Sequence, residues 1–466
     1  MDNETPLGAT RSPSLAVFLS FVWPGWGQWY QGRRRTAALY ALPVLAVTIL
    51  LAVQLIGGIE KFAAGLLDPT VAQTLVILIA LLGIWRVFSM ADALISGTGR
   101  GVNRAAAGSV FAALTLVVIA AHAWVGSVTW AFYDAGSQIF VGDRGPDASP
   151  LTPAPSGSDA PDDNINDFQA TPIPTPPTAS KRISILLTGV DSGHGREHAL
   201  TDTIMLISVD PDTGKVAMLS FPRDISNFPL YGGGTYKGKI NSLMTYARLH
   251  PEQFPDGGLP TLVKEVGYLA GIPVQYFAAI NLDGFQRMID LVGGVDVVNP
   301  RAINDPRYDW LDGTHGFTLK AGPVHLDGRV GLAYVRSRQG LGDSDFTRAA
   351  RQQQVLGALR KKITNPSVIA RLPDLLHAMG SSVRTNYPVD DVRDLVDLAS
   401  KVSDNSTFKK VLGPPYAVHP PNNTTGGVYT LKLDMDRVAK LSVDLFGADS
   451  RYAESASGGE GASAVP

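Results

Sequence analysis

The first third of the chain contains three long runs of apolar residues, whereas the remainder alternates between shorter apolar patterns. The three runs cover about residues 36–56, 71–93 and 105–130. Each is close to the roughly 20 residues that a helix needs to cross a bilayer. Three nearly charge-free runs in succession are unusual in the core of a water-soluble protein. The pattern therefore predicts three membrane-spanning helices within a membrane region over 1–135.

The stretch before these runs has a different pattern. In "FLSFVWPGWGQWYQGRRR" the apolar part is short and is interrupted by Pro24, Gly25 and Gly27, among several aromatic residues. Aromatic side chains concentrate at membrane interfaces. Residues 14–31 are therefore predicted to form an interfacial or re-entrant element, with a fourth span as the open alternative. The stretch is similar to a PGxGQxYxG motif of small multi-span membrane proteins.

Basic residues near the ends of the runs predict the orientation of the membrane region. Three arginines at 33–35 precede the first run, and Arg100 and Arg104 lie between the second and third runs. The other loop has Lys61 as its basic residue. Lys and Arg are enriched in cytoplasmic loops. Everything after Trp130 is therefore expected outside the cell, attached to a multi-pass membrane region.

Composition divides the rest of the chain into three parts. Residues 142–180 are rich in Pro, Ser, Thr and Asp and poor in apolar residues, which predicts a disordered linker. Residues 181–447 have the apolar patterns of a globular domain. Residues 448–466, "ADSRYAESASGGEGASAVP", predict a disordered tail.

Overall composition excludes some kinds of site. The chain has no cysteine, so it contains neither disulfides nor thiolate metal sites. Its formal net charge of -2 gives no indication of nucleic-acid binding, and we expect none.

Strand and helix patterns alternate within 181–447. The strand patterns are "RISILLTG", "VQYFAAI", "GVDVV" and "VGLAYVRSR", and the helix patterns are "LPTLVKEVGYLAG", "DGFQRMIDLVGG" and "DSDFTRAARQQQVLGALRKKI". In "TDTIMLISVDPDTGKVAMLSFPRD", two alternating runs flank a polar turn, which predicts a hairpin. Together these patterns predict an α/β fold, an α-β-α layered domain with a mixed central sheet.

Two aspartates lie where the first strand ends and the hairpin begins. Asp191 ends "RISILLTGVD", and Asp202 is near the start of the next strand. If the two strands are antiparallel neighbours, both carboxylates lie at the same end of the sheet. Two carboxylates supplemented by water and phosphate oxygens suit Mg²⁺. The alternative is that each aspartate simply caps a turn.

Charged and polar side chains recur in "YVRSRQGLGDSDFTRAARQQ". Arg336 and Arg338 are two apart in a predicted strand and would share one face. Asp345, Arg348 and Gln352 share a face of the predicted helix that follows. Clustered arginines repel one another unless an anion joins them, and the planar guanidinium group matches phosphate oxygens. The pattern therefore predicts an anion site.

Two more arginines on the same helix have an alternative explanation. Arg351 lies close beside the predicted anion-binding face, and Arg360 lies farther along. Both are compatible with a solvated basic helix face, and Arg360 is expected to be solvated.

The order of these pieces resembles the LytR–CpsA–Psr family of bacterial cell-envelope phosphotransferases. The matching pieces are "ILLTGVDS", "TDTIMLISVDPDTGKVAMLSFPRD", "KIN", "LVGGVDV" and "YVRSRQGLGDSDFTRAARQQQVL". The resemblance implies an α-β-α domain that is anchored in the cell membrane and moves a glycopolymer from a polyprenyl diphosphate carrier to peptidoglycan. The expected partners are thus the lipid-linked glycopolymer, peptidoglycan and the lipid bilayer.

The resemblance also implies roles for particular residues. It assigns Mg²⁺ binding to Asp191 and Asp202. The positions implied for diphosphate binding and catalysis are Arg223, Arg336, Arg338, Asp345, Arg348 and Gln352. The sequence departs from the family at Leu200, where many members have Arg. Either Arg196 or His198 in the same loop compensates, or diphosphate binding is weaker.

Two other functions use the same residues differently. A polyprenyl diphosphate or phosphodiester hydrolase would use the same metal and arginines with water as the attacking group, and pyrophosphatase action is also a possible side activity of the transferase. A non-catalytic envelope-binding or regulatory protein would have no need for Asp191 and Asp202 together. We therefore expect an Mg-dependent glycopolymer–peptidoglycan phosphotransferase. A carboxylate, Asp345 or Asp224, would orient or deprotonate the attacking hydroxyl, or only hold an arginine.

Overall fold

The structure, a computed structural model, divides into two compact units, Met1–Ser137 and Gln138–Pro466. The described residues are 12–96, 104–140, 165–166, 181–191, 200–310, 312–338, 340, 342–363, 372–380, 382–402, 404–421 and 428–453.

The first unit is helical. Its helices are α1 (Pro13–Val22), α2 (Trp26–Tyr30), α3 (Arg34–Leu55), α4 (Ile59–Gly65), α5 (Pro69–Ile95) and α6 (Arg104–Ile139). Three of them, α3, α5 and α6, are long and apolar enough to cross a membrane. The helix α6 continues nine residues past the predicted end at Trp130. The predicted interfacial stretch forms the two short helices α1 and α2.

Glycines allow α1, α2 and α3 to pack closely. A Cβ atom on Gly27 would lie 2.1 Å from the carbonyl oxygen of Ala16 in α1. Gly25 has a φ of +99°, and a Cβ there would lie 2.3 Å from the carbonyl oxygen of Ala37 in α3. Only glycine fits both positions, which gives the Pro-Gly-rich motif a packing role.

Polar residues of this motif form hydrogen bonds with the last two turns of α5. The buried Gln28 side chain donates to the Ser89 carbonyl oxygen at 2.7 Å and to Asp92 Oδ2 at 3.0 Å. Arg33 donates to both carboxylate oxygens of Asp92, at 2.6 and 3.0 Å, and to Ser96 Oγ at 2.8 Å. The motif therefore fastens the start of α3 to the end of α5.

The second unit is built on a mixed sheet. Its strands are β1 (Ile165–Asn166), β2 (Ile183–Asp191), β3 (Leu200–Val209), β4 (Val216–Ser220), β5 (Ser226–Pro229), β6 (Thr235–Lys239), β7 (Tyr276–Asn281), β8 (Val295–Asn299), β9 (Ile303–Asp309), β10 (His315–Leu319), β11 (Gly322–Leu326), β12 (Val383–Thr385), β13 (Thr407–Val411), β14 (Ala417–Val418) and β15 (Lys432–Leu433). The central sheet has the order β12-β7-β2-β3-β4-β13. The β2–β7 and β4–β13 pairs are parallel and the others antiparallel.

Helices cover both faces of this sheet. They are α7 (Ile240–Leu249), α8 (Gly258–Ala270), α9 (Leu282–Leu291), α10 (Gly328–Arg336), α11 (Asp345–Ile363), α12 (Leu372–Gly380), α13 (Val392–Lys401) and α14 (Met435–Phe446). Successive strand residues alternate between the faces. Leu206 belongs to the core that contains Leu262 of α8, whereas Met205 packs in the core with Leu398 of α13. The predicted α-β-α fold is confirmed.

One predicted strand is wrong. The segment "VGLAYVRSR" forms the helix α10, which ends at Arg336. Its N-cap is Asp327, whose side chain accepts a hydrogen bond from the Val330 backbone N–H at 2.7 Å. Short apolar runs fit a buried helix and a buried strand equally well, and here the N-cap and the packing on α9 favour the helix. Arg336 and Arg338 therefore do not share a strand face.

Two segments outside the predicted bounds of the domain make contacts with it. In the predicted linker, Ile165–Asn166 pairs antiparallel with Thr235 and Tyr236 of β6. In the predicted tail, the Arg451 backbone nitrogen donates to the Gly271 carbonyl oxygen at 2.8 Å, and the Tyr452 side chain packs at the end of α8. The folded domain thus extends past residue 447, because these backbone groups find partners on it.

Candidate active site

The open end of the hairpin formed by β3 and β4 is irregular at Asp202. Gly189 of β2 pairs with Thr203, but the next residue, Val190, pairs with Thr201. Asp202 is therefore the extra residue of a β-bulge. Bulges redirect side chains and are common next to active sites.

Arg223 lies just after β4 and forms ion pairs with three carboxylates. Its Nη1 atom is 2.7 Å from Asp202 Oδ1, and its Nε atom is 3.8 Å from Asp224 Oδ2 and 3.9 Å from Asp345 Oδ1. Lys239, at the end of β6, forms an ion pair with Asp224. The two ends of the hairpin thus meet, as the sequence predicted.

The first turn of α11 joins the same cluster. Arg348 Nη2 is 3.1 Å from Asp345 Oδ1 and donates to the backbone carbonyl oxygen of Asp202 at 3.3 Å. Arg348 is 4% exposed, so its charge is almost fully removed from solvent. A buried guanidinium is stable only with anionic or polar partners, and here Asp345 is the anionic one.

Asp345 and Asp224 form an interacting acid pair. Burial raises the pKa of Asp345 to about 6, and the hydrogen bond and charge of Asp224 add to this effect, against the opposing influence of Arg348 and Arg223. Burial alone would raise the pKa of Asp224, but its hydrogen bond with Asp345 and its contact with Lys239 leave that pKa lowered. Of the two, Asp345 is therefore the group that gains a proton first as the pH falls.

A cavity of about 270 Å³ extends from this charged cluster into the domain. Its lining changes along α11 from Arg348 and Gln352 to Leu356 and Leu359. The rest of its wall comes mainly from apolar residues of the sheet and of the neighbouring helices, namely Leu187, Met205, Ala278, Phe285, Met288 and Met379. The cavity is charged at one end and apolar along the rest.

Arg336 and Gln352 belong to the charged end of the cavity. Arg336 lies at the C-terminal end of α10, with its guanidinium carbon 5.9 Å from the ring centre of Tyr308. Gln352 donates to the Val335 carbonyl oxygen at 3.2 Å. Both line the cavity beside Arg348 and Asp202, so Arg336, Arg348 and Gln352 come together although the predicted strand does not form.

The structure locates Arg338 through its backbone. Its N–H donates to Asp305 Oδ2 at 3.2 Å, and the Ser337 hydroxyl donates to the same oxygen at 2.7 Å. The half-buried Arg338 side chain is not among the cavity-lining groups. The expected contact of this side chain with a diphosphate stays a prediction.

Four residues of this region were not predicted from the sequence or were interpreted differently. Lys239 and Asp305 lie far in sequence from the groups they contact. Arg351 binds the Ser337 carbonyl oxygen at 2.6 Å and Asp343 Oδ2 at 3.4 Å, so it holds the loop after α10 and is not solvated. Arg360 is half-buried and donates to the Val402 carbonyl oxygen at 2.8 Å, which corrects its expected solvation.

The fit of a magnesium ion depends on Asp191 and Asp202. Asp191 pairs through its backbone with Leu200, two residues before Asp202, so the two aspartates end neighbouring strands. The Asp191 side chain, Arg196 and His198 lie outside the described residues. Within the described part of the chain, no three His, Asp or Glu side chains form a metal-binding group. Asp202 supplies hard carboxylate oxygens, the ligand type that Mg²⁺ prefers, and the expected Mg²⁺ binding stays a prediction.

The layered fold and the site define a domain suited to a ligand with an anionic head and an apolar chain. The chain matches the model of the LytR_cpsA_psr family over residues 156–447. It belongs to this family, which confirms the resemblance and the predicted class of cell-envelope phosphotransferase.

Named relatives and solved structures match just over half of the chain. The polyisoprenyl-teichoic acid–peptidoglycan teichoic acid transferase TagU of Halalkalibacterium halodurans is 29% identical over 269 residues, 58% of this chain and 79% of that protein. TagU of Oceanobacillus iheyensis is 32% identical over 234 residues, 50% of this chain and 67% of that protein. The crystal structure of B. subtilis TagV is 25% identical, with a TM-score of 0.44 over 56% of this chain and 96% of TagV. A structure of TagT bound to LIIa-WTA is 25% identical, with a TM-score of 0.42 over 57% of this chain and 90% of TagT.

Proposed function

We propose that the protein transfers a glycopolymer from a polyprenyl diphosphate carrier to peptidoglycan and forms a phosphodiester link in cell-wall assembly. The observation that carries this proposal is the cavity with Arg336 and Arg348 at one end and apolar walls along the rest. A diphosphate fits the guanidinium groups, and a polyprenyl chain fits the apolar walls. The relatives named as polyisoprenyl-teichoic acid–peptidoglycan transferases support this substrate class.

The location of the enzyme follows from the same proposal. The helices α3, α5 and α6 cross the cell membrane, and the arginines at 33–35, together with Arg100 and Arg104, face the cytoplasm. The catalytic domain then lies outside the membrane, where peptidoglycan is located.

The reaction is a displacement at phosphorus. A sugar hydroxyl oxygen of peptidoglycan attacks the phosphorus that carries the glycopolymer. A new P–O bond forms, the bond from that phosphorus to the bridging oxygen breaks, and polyprenyl phosphate leaves. Phosphoryl transfer depends mostly on positioning and on neutralisation of negative charge.

The side chains of the site have separate tasks in this reaction. Arg223, Arg336 and Arg348 neutralise the diphosphate oxygens, and Arg338 approaches from the loop that Asp305 holds. Asp345 orients Arg348 and accepts the proton of the attacking hydroxyl, because a pKa of about 6 keeps it ionised at neutral pH while making it a stronger base than an ordinary aspartate. Asp224 is held by Lys239 and has a structural role.

Asp191 and Asp202 would hold Mg²⁺. The bound ion would supply Lewis-acid neutralisation of phosphate oxygens. Because Asp202 Oδ1 accepts a hydrogen bond from Arg223, Asp202 also couples the metal position to the arginine cluster.

The test is transfer by the full-length protein in nanodiscs, with a lipid-linked saccharide diphosphate as donor and peptidoglycan oligomers as acceptor. Losing one charge-assisted contact to a buried anion costs about 1.5–3 kcal/mol. Arg348→Ala should therefore lower the transfer rate roughly ten- to a hundredfold. Arg437→Ala is the matched control, because Arg437 is exposed on α14 and pairs with Asp434 at 2.9 Å.

The products separate the alternatives. Release of glycopolymer phosphate without attachment to peptidoglycan would identify a hydrolase, and a small amount beside transfer would be the pyrophosphatase side activity. Donor binding with neither product would indicate a binding or regulatory protein. Equal transfer rates for the Arg348→Ala and Arg437→Ala proteins would show that the charged end of the cavity takes no part in the reaction.

A further inference from the structure

A second cleft, of about 530 Å³, is lined by residues of α9, α10 and the β9–β10 hairpin. Its polar lining consists of two carboxylates, two guanidinium groups and one amide, which belong to Asp283, Asp312, Arg287, Arg329 and Gln286. Its volume falls within the roughly 300–1,000 Å³ that is usual for small-molecule sites. The reaction described above uses none of these side chains.

Aromatic rings form another part of this cleft. Tyr308 and Trp310 of the β9–β10 hairpin line it. Their ring centres are 5.0 Å apart with the planes at 80°, and Trp310 also packs edge-to-face with Phe317. The Trp310 indole N–H donates to the Gly316 carbonyl oxygen at 2.8 Å, which fixes the ring. Fixed aromatic rings offer large contact area with little loss of conformational entropy.

The polar groups are also held in place. Arg329 Nη2 is 2.8 Å from Asp312 Oδ2, and its guanidinium carbon lies 4.3 Å from the centre of the Trp310 ring. A guanidinium has five N–H donors, so Arg329 retains donors beyond this pairing. The helices beneath are packed tightly, since a Cβ on Gly328 would lie 2.2 Å from the Gln286 carbonyl oxygen. The cleft is therefore largely preformed.

The chemistry of the cleft selects among kinds of ligand. The two carboxylates would repel a phosphate, and the two guanidinium groups would repel a metal cation. An acyl chain would remove the charged groups from water without giving them a partner. A neutral polyhydroxylated ligand matches, because alternating donors and acceptors bind hydroxyls while the rings pack on C–H surfaces. From these features we propose that the cleft binds a saccharide.

The cleft is close to the proposed diphosphate site. Leu332 of α10 lines both the cleft and the apolar cavity, and Arg336, in the cavity, lies 5.9 Å from the ring of Tyr308, in the cleft. Which saccharide binds depends on the proposed function. The saccharide is either the donor glycopolymer next to its diphosphate or the glycan of the peptidoglycan acceptor.

The test measures binding without turnover, using the full-length protein in nanodiscs. Three probes are titrated: tetra-N-acetylchitotetraose, farnesyl-diphospho-N-acetylglucosamine, and farnesyl diphosphate, which has no sugar. Arg329→Ala and Gln286→Ala should weaken binding of a saccharide probe by about tenfold and leave farnesyl diphosphate binding unchanged. Arg437→Ala, which also removes an exposed arginine paired with an aspartate, should leave all three affinities unchanged.

The pattern of loss identifies the source. If the variants bind the chitotetraose more weakly than wild type does, the cleft binds the acceptor glycan. If the variants bind farnesyl-diphospho-N-acetylglucosamine no more tightly than farnesyl diphosphate, the cleft binds the sugar of the donor. If wild-type protein binds neither saccharide, or if both variants bind the saccharides as wild type does, the cleft is not a saccharide site. Failure of the transfer reaction would leave these binding results intact, so the two proposals fail separately.

Discussion

The membrane unit, which contains α1–α6, and the α-β-α domain both place arginines beside aspartates, but with different balances of charge. In the membrane unit, Arg33 and Asp92 are paired one to one through two hydrogen bonds, with Gln28 and Ser96 as additional partners. The charges cancel and the hydrogen-bonding groups are used within the unit. Such a pair fastens helices together and leaves no charge for a ligand.

In the α-β-α domain, the described side chains of the site include one more basic group than carboxylates. Arg223, Lys239, Arg336 and Arg348 face three carboxylates, those of Asp202, Asp224 and Asp345. Because burial makes unneutralised charge costly, we expect an anion to complete this arrangement. The balance of charge, rather than the presence of Arg–Asp pairs, therefore separates the fully paired contact in the membrane unit from the proposed binding site.

Exchanging the members of an ion pair tests this difference most strongly. In the α-β-α domain, the double variant Asp202→Arg with Arg223→Asp keeps the ion pair but exchanges the positions of the two charges. The transfer rate should therefore fall at least about a hundredfold. The measurement is steady-state transfer by protein whose circular dichroism spectrum matches wild type. Retained transfer would show that this pair is structural.

The corresponding change in the membrane unit should act on stability. Arg33→Ala leaves Asp92 without its charge partner in an apolar environment, which should lower the free energy of unfolding by about 1–3 kcal/mol. Arg33→Asp combined with Asp92→Arg should recover part of the loss. Thermal unfolding in detergent micelles measures both, and the transfer rate per folded molecule should stay the same. A lower rate in fully folded protein would contradict a purely structural role.

The pH dependence of the transfer rate tests the acid pair of Asp345 and Asp224. Burial, with the neighbouring Asp224, raises the pKa of Asp345 to about 6. A base works when deprotonated, so the transfer rate should rise about tenfold per pH unit below 6 and level off above it. Arg33→Ala protein should have the same profile as wild type. A rate independent of pH between 4.5 and 7 would exclude Asp345 as the proton acceptor.

The smallest effect is expected for Arg338, which is half-buried in the loop after α10. Arg338→Lys keeps the charge and loses the planar fork, so transfer should fall only a few-fold, by under about 1 kcal/mol. Arg348→Lys, at the buried position, should lose more. Equal losses in the two variants would place Arg338 as deeply in the site as Arg348.

Local patterns alone were sufficient for much of this protein. Apolar runs of membrane-spanning length predicted where α3, α5 and α6 lie. Alternation and the polar turn predicted the β3–β4 hairpin, and helical spacing placed Asp345, Arg348 and Gln352 on one face of α11. Each of these features depends on neighbours within a few residues, so it is visible in a single sequence.

Only the tertiary structure decided the features that depend on distant segments. Whether "VGLAYVRSR" is a helix or a strand depends on its packing against α9, because the run is apolar enough for both. The contacts of Lys239 with Asp224, and of Asp305 with Arg338, join residues with no shared pattern. The cavity and the second cleft are lined by different residues of α9 and share Leu332 of α10. Their linings come from segments that meet only after packing, since the shape of an enclosed space is a property of the packed layers and not of any one stretch of chain.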